Sequence, residues 1–427
     1  MQISEFDLSD IVFREDLYPR IEHNPQTVQS YAEDLSILPP IEVNQNKEII
    51  DGWHRWTAHK KMSMQTIKVV VTKTISDAHF LELAIERNAR HGLCLSREDK
   101  KSMARRIYHV TPESERNEKK KHLASILSVD ERTIRDWLSR IDKDAKEARN
   151  KRIFDLWLAC WTQEEIAAKE NVHEDTVNEI VSRISEDLPK SVKVLSDHAD
   201  PDFQVPLYNI WKWQEKTSGS KHAGNSESTI LDNLLYLYTK PFDIVIDPFA
   251  GGGSTIDICR KRLRRYWVAD REPIVEREKD IRKASIQEGL PSLNKRWSDV
   301  RLVYLDPPYW LQAKGKYSDH PLDLSNVSLN EFHDALSDYI GYLSEKIPSD
   351  AVIALLIQPT QWNADNKEYT DHVVRIIQGV NNKKLSIDMR VSCPCESQQY
   401  NAQTVDWAKN NKKLLVLTRE LTIWRKK

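Results

Sequence analysis

The chain has 427 residues, 40% hydrophobic and 30% charged, with 63 Lys and Arg against 65 Asp and Glu, and a single core stops growing at roughly 250 to 300 residues, so two or three domains are expected. No run of about 18 apolar residues offers a membrane span and the start, Met-Gln-Ile-Ser-Glu-Phe-Asp, lacks a basic and then apolar leader, so a cytoplasmic location without a membrane partner is expected. Five cysteines in so long a chain make no disulfide framework, and Cys393 with Cys395 lacks a second pair to complete a zinc site, so reduced thiols and no metal are expected.

Over residues 1–95, short β-rich pieces (Pro40-Ile-Glu-Val-Asn, Glu48-Ile-Ile-Asp, Ile67-Lys-Val-Val-Val-Thr) alternate with helical stretches and predict a small α+β domain. The string EIIDGWHRWTAHKKM (48–62) sets Gly52, His54 and Arg55 between a strand and an amphipathic helix. It reads either as a structural turn before a solvated basic helix or as a phosphate-binding loop, with His54 and Arg55 donating beside a helix N-terminus. The string resembles ParB-like and sulfiredoxin-like domains, and AIERNARHGLCLS (84–96) resembles their second conserved box. The catalytic cysteine of sulfiredoxins falls at Trp53, which excludes that redox chemistry. The ParB-like resemblance implies DNA as partner and a nucleotide, CTP or ATP, at this domain. Of the two arginines that ParB-type nucleotidases place in the loop, Arg55 remains and His54 stands in the other's place.

Residues 96–190 read as an all-α region holding two helix-turn-helix units. HLASILSVDERTIRDWLSRI (122–141) has Ala124 early in its first helix, a turn at Ser128-Val129, and Ile134 and Trp137 spaced to pack the second helix on the first. TQEEIAAKENVHEDTVNEIVSRI (162–184) repeats the scheme, with a turn near Asn171-Val172 followed by Val177 and Ile180. Tri-helical packing units use the same spacing, and charge separates the copies. Residues 116–152 carry 12 Lys and Arg against 7 Asp and Glu, whereas 153–187 carry 2 against 9. Arg132, Thr133 and Arg135 of the first copy suit phosphates and base edges in a major groove. His173, Glu174, Asp175 and Glu179 of the second would be repelled by phosphate, so helix packing or homodimerisation is its expected role.

A linker is expected over 189–206, where Pro189, Pro201 and Pro206 fall. From 205 to 427, strand-like runs (Phe242 to Ile246, Tyr266 to Ala269, Leu302 to Leu305, Ala351 to Ile357, Lys413 to Leu417) alternate with helical segments, predicting an α/β domain with a mostly parallel sheet. In it, DPFAGGGST (247–255) spends three of the chain's 11 glycines consecutively, between an apolar strand and a helix start. At such a turn backbone can approach a ligand closely, since no Cβ intervenes. LVYLDPPYW (302–310) ends another strand in Asp306-Pro307-Pro308-Tyr309. The amine of adenine N6 or cytosine N4 has its lone pair delocalised into the ring and is a poor nucleophile until acceptors hold its hydrogens. Asp306 and the Pro307 carbonyl supply such acceptors, and the Tyr309 ring, held beyond a rigid Pro-Pro, can stack on an extruded base.

Together, DPFAGGGST and DPPYW resemble the S-adenosylmethionine-dependent amino-methyltransferases of DNA, over roughly 205–427. The resemblance implies a Rossmann-like fold, with Asp247, Phe249, Ala250, Gly251 and Gly253 lining S-adenosylmethionine. It also implies that Asp270, ending the strand RRYWVAD, accepts the ribose hydroxyls; a carboxylate about 20 residues past the glycine turn suits a ribose diol on physical grounds too. The segments YNIWKWQ (208–214) and KHAGNSESTILDNLL (221–235) resemble the part such enzymes place over the cofactor. Two departures stand out. Asp-Pro-Pro-Tyr follows the glycine motif here, whereas in many relatives it precedes it. The acid expected in KASIQEGLP (283–291) to hold the adenine of the cofactor is Ser285, leaving Asp299 or another group to substitute. The expectation is therefore a multidomain DNA methyltransferase: a ParB-like domain, a helix-turn-helix region and a methyltransferase domain acting on double-stranded DNA, on adenine N6 in preference to cytosine N4. The competing reading is a ParB-like, nucleotide-dependent DNA-binding regulator whose methyltransferase domain is degenerate.

Overall fold

β-branched pieces near the N-terminus supply the buried positions of a small sheet: Ile41, Val43, Ile49, Ile67 and Val69 are at most 4% exposed. The computed structural model of the chain describes residues 3–19, 24–90, 95–212, 228–277, 279–289, 293, 296–311, 313–315, 320–361, 368–380, 384–394 and 400–427. Strands β1 (Ile3–Asp7), β2 (Ile41–Val43), β3 (Ile49–Asp51) and β4 (Thr66–Val71) form a sheet of order β1-β4-β2-β3. The pairing of β2 with β4 is parallel and the other two are antiparallel. Helix α1 (Pro25–Glu33) starts where the Asn24 side chain accepts from the amides of Gln26 and Thr27, with Pro25 supplying a preset φ. Helices α2 (Trp53–Lys61) and α3 (Asp77–Arg90) follow, then α4 (Arg97–His109), opened by a reciprocal cap between Ser96 and Asp99. Next come α5 (Arg116–Ile126) and α6 (Glu131–Leu158), joined at Ser128, whose φ of 49° makes the turn. Leu123, Leu127 and Leu138 pack there with Ile134 and Trp137, the two positions that the sequence spacing singles out.

The chain divides into two compact units, Met1–Ala148 and Arg149–Lys427. In the second, Thr162 and Glu165 cap α7 (Gln163–Glu170), Asn171 turns the chain with φ 52°, and α8 (Glu174–Ser191) and α9 (Lys193–Ser196) follow. Ile153, Ile166, Ala167, Val177, Ile180 and Val181 bury against one another. Phe154 and Leu158 belong to the core under the large sheet, with Val245 and Leu302.

Part of the expected linker is also packed into this unit. Arg262 is 1% exposed and donates to both carboxylate oxygens of Asp232, at 2.7 and 2.6 Å, to the Leu195 carbonyl, and to Asp200. Burial alone would raise the Asp232 carboxyl, but bonds from His198 and Arg262 together hold it at about 2.

The large sheet has seven strands among the described residues: β5 (Ile244–Asp247), β6 (Arg265–Asp270), β7 (Arg282–Lys283), β8 (Val300–Leu305), β9 (Val352–Ile357), β10 (Leu385–Pro394) and β11 (Thr418–Lys426). Their order is β10-β11-β9-β8-β5-β6-β7. β5 to β9 pair in parallel, and β11 runs antiparallel to both of its neighbours. α10 (Ser228–Tyr238), α11 (Ser254–Lys261), α12 (Leu329–Lys346), α13 (His372–Gly379) and α14 (Ala402–Asn410) complete the unit. The strand expected at Lys413 to Leu417 begins instead at Thr418. Leu414 is 89% exposed, and the buried run is Leu421 to Trp424, which pairs with β9. The chain leaves β5 towards β6 on one side and returns as β8 on the other, so the strand order reverses at the β5–β8 pair. A crevice opens beyond the carboxyl ends of strands at such a reversal. No helix among the described residues is long and apolar enough to cross a membrane.

Candidate active site

β5, β6 and β8 are parallel, so Asp247, Asp270 and Asp306 come to the same edge of the sheet at the ends of their strands. Asp247 is buried. One of its oxygens accepts from the Phe249 amide at 2.8 Å and the other from the Thr255 hydroxyl at 2.5 Å. Burial nevertheless pushes its carboxyl up to about 7.

The glycine turn is tied to the neighbouring strand. The Ala250 amide donates to the Ala269 carbonyl at 2.9 Å and the Gly251 amide to Asp270 at 2.8 Å. Asp270 also accepts from the Glu272 amide at 3.0 Å. Gly251 and Gly253 have φ of 49° and 81°, where a side chain is strained, and Gly253 leads directly into α11.

At the end of β8 the two oxygens of Asp306 accept from two phenols, Tyr304 and Tyr309, each at 3.3 Å. Burial raises the Tyr304 hydroxyl far above the ordinary phenol range, which keeps it a donor. The Arg419 guanidinium donates to the Tyr309 oxygen at 3.3 Å. One cleft is lined by Asp247, Phe249, Ala250, Thr255, Tyr304 and Asp306, so the glycine turn and the start of the Asp-Pro-Pro-Tyr string share it.

Three participants were not picked out from sequence. Tyr304, on β8, lies two residues before Asp306, where alternation could have flagged it. Thr255 is visible only as part of the glycine string, and Arg419 reaches the site from β11 with no local signal. Asp299 does not substitute for the missing acid. It precedes β8 and pairs with Arg265 at the start of β6, at 3.3 Å, on the opposite edge of the sheet. Ser285, just beyond β7, is buried and donates to Glu288 at 2.8 Å, which brings a carboxylate beside that position.

The other candidate residues belong to the unit Met1–Ala148. Gly52 has φ 106°, and a Cβ there would sit 2.6 Å from Ile41 Cγ2. Arg55 donates to the carbonyls of Pro39 and Pro40, at 3.0 and 2.7 Å, and to Asp51 at 2.7 Å. His54 is buried and accepts from the Asn24 amide at 3.3 Å. Arg132 and Arg135 are exposed on the first turns of α6 and Thr133 is half-buried; Arg135 makes a surface pair with Glu131 at 3.0 Å. Cys395, residues 213 and 214, 221–227, 290 and 291 of the cofactor-region strings and 91–94 of the second ParB-like box lie outside the described residues.

Comparison with known proteins gives two family matches: a DNA methylase family over residues 54–277 and the ParB N-terminal domain over 2–89. The first takes in the glycine turn and Asp270 and ends before Asp306. YubD of Escherichia coli (strain K12), named as a methylase, is 34% identical over 88 residues, which are 20% of this chain and 38% of that protein's length. Among solved structures, a C-terminally truncated chromosome-partitioning protein ParB from Caulobacter crescentus, complexed to the centromeric parS site, is 19% identical. That alignment covers 32% of this chain and 70% of that one, with a TM-score of 0.23. TrmN from Thermus thermophilus is 12% identical over 47% of this chain and 49% of that one, with a TM-score of 0.29.

Proposed function

The chain belongs to the DNA methylase family and carries an N-terminal ParB-like domain, and from that premise we propose that it transfers a methyl group from S-adenosylmethionine to the N6 amine of an adenine swung out of double-stranded DNA. The observation that carries this reading is the single cleft lined both by the glycine-turn residues Asp247, Phe249 and Ala250 and by Asp306. Methyl donor and acceptor have to meet in one place, and a shared cleft is the minimum requirement.

The residues fit the donor. Asp247, Phe249 and Ala250 line the cleft, and together with Gly251 and Gly253, whose positive φ leaves bare backbone in the same turn, they would hold S-adenosylmethionine there. Each oxygen of Asp270 accepts one backbone amide and keeps a lone pair for a ribose hydroxyl. Glu288, held by Ser285 beyond the next strand, is the acid suited to the adenine end of the donor. When bound, S-adenosylmethionine supplies a methyl group made electrophilic by its sulfonium.

The chain's own part is positioning. Asp306 and the Pro307 carbonyl accept the hydrogens of the target amine, so that its lone pair turns towards the methyl. Pro307 and Pro308 stiffen the turn, and the Tyr309 ring stacks on the base. The bonds from Tyr304 and Tyr309 fix the attitude of Asp306 towards the substrate. An Asp at the head of the motif supports adenine, because relatives acting on cytosine often carry Ser there. In this reading residues 1–95, 96–190 and 205–427 are the ParB-like, helix-turn-helix and methyltransferase domains, and Arg132, Thr133 and Arg135 contact the duplex.

Asp306→Ala tests the assignment. Calorimetry is expected to show unchanged S-adenosylmethionine affinity, while methyl transfer to duplex DNA falls roughly a thousandfold, since the lost acceptor acts at the transition state. An active Asp306→Ala protein would mean that another group orients the amine.

A further inference from the structure

Behind the Asp306 loop lie three buried polar side chains that the proposed chemistry does not use: His333, Thr360 and His372. Burial of such groups is tolerable only when their polar atoms are paired, and here the pairing has one direction. The Trp310 carbonyl can only accept, so the Thr360 hydroxyl, 3.2 Å away, donates to it. The Thr360 oxygen then accepts from His372 Nε2 at 2.7 Å, which places that ring's proton on Nε2 and leaves Nδ1 bare. His372 Nδ1 in turn accepts from His333 Nε2 at 2.9 Å. Burial pushes the His372 ring down to about 3, which agrees with a neutral imidazole.

The far end of this chain is the loop that carries Tyr309. Trp310 is held a second time by its indole, which donates to the Val327 carbonyl at 3.0 Å, and the Tyr309 carbonyl accepts from the Ala313 amide at 3.0 Å. Thr360 is itself braced through both backbone bonds to Thr370, at 3.1 and 2.9 Å, just ahead of α13. His333 sits on α12 and His372 opens α13. Two helices and the turn after β9 thus converge on one carbonyl next to Tyr309.

We propose that Thr360, His372 and His333 are positioning residues of the methyl-transfer site, a one-way hydrogen-bond chain that fixes the Trp310 carbonyl and with it the attitude of Tyr309 and Asp306 towards the target base. The proposal rests on the methyltransferase reading of Asp306 to Tyr309. None of the three touches substrate; they act through the loop.

The test compares the full chain with Thr360→Val, which keeps shape and loses the hydroxyl, and with Thr360→Ser, which keeps the hydroxyl. Thr360→Val is expected to bind S-adenosylmethionine within about twofold of wild type and to lose about tenfold in kcat, and Thr360→Ser to recover most of that loss. Nitrogen-15 NMR of the wild-type histidines gives a readout independent of activity and of any substitution: His333 and His372 both neutral at neutral pH, each with its proton on Nε2. Full kcat in Thr360→Val, a Thr360→Ser protein as impaired as Thr360→Val, or a His372 ring protonated on Nδ1 overturns the proposal. Absence of methyl transfer in the wild type would instead sink the reading of the site, and the NMR pattern would still decide whether the chain of bonds exists.

Discussion

At Asp247 burial and hydrogen bonding act in opposite directions. The Phe249 amide and the Thr255 hydroxyl favour the carboxylate, burial and the nearby carboxylates of Asp306 and Asp270 oppose it, and the group ends up at about 7 against an ordinary 3.8. Between about pH 4 and pH 7 the folded state therefore binds more protons at this group than the unfolded chain does. Stability is lost as pH rises through that window, on the order of 1 kcal/mol per pH unit, and levels off above it. Urea denaturation across pH 4 to 7.5 is expected to show this fall in wild type and a flatter curve in Asp247→Asn; parallel curves would contradict it. Asp247 itself was legible in the sequence because a strand followed by three glycines is a local pattern. The direction of its shift was not, because it depends on atoms contributed by β6 and β8. Arg419 was hidden for the same reason, lying 110 residues from the Tyr309 hydroxyl it meets.

Among the elements, α6 and α8 differ in the charge they display. The start of α6 exposes Arg132 and Arg135, and the single surface pair to Glu131 restrains Arg135 only weakly. The start of α8 exposes Glu174, Asp175 and Glu179. If α6 meets phosphates, the double substitution Arg132→Ala and Arg135→Ala weakens DNA binding and flattens its salt dependence by up to about two units of slope. Glu174→Lys with Glu179→Lys is expected to leave the slope unchanged or to steepen it. Fluorescence anisotropy of a labelled duplex across a salt series checks both. A silent arginine pair, together with loss of specific binding in the glutamate variant, would invert the assignment. The helices and their turns were legible because 3.6-residue periodicity and the turn residues are local. The clasp of Arg262 by Asp200 and Asp232 was not, since the partners lie 62 and 30 residues away. The strand expected at Lys413 to Leu417 lies too early because KKLLVLTRELTIW holds two apolar runs, Leu414 to Leu417 and Leu421 to Trp424, and only pairing with β9 selects the second as the buried part.

For the whole molecule, alternating strand and helix signals were enough to expect a mostly parallel sheet. They were silent on strand order and on β11 running against its neighbours, which tertiary pairing sets. The two motifs nevertheless pointed to one site, because in a parallel sheet every strand ends on the same edge and Asp247 and Asp306 close adjacent strands. Asp299 was misplaced by the same logic, being at a strand's start. The most direct test of a DNA adenine methyltransferase is chemical. The purified chain is incubated with duplex DNA and S-adenosylmethionine carrying a labelled methyl, the DNA is digested to nucleosides, and these are separated by mass. Label is expected in N6-methyladenine with wild type and to be absent with Asp306→Ala. Label confined to cytosine would overturn the choice of base, and no labelled nucleoside from any duplex offered would contradict the proposed function itself.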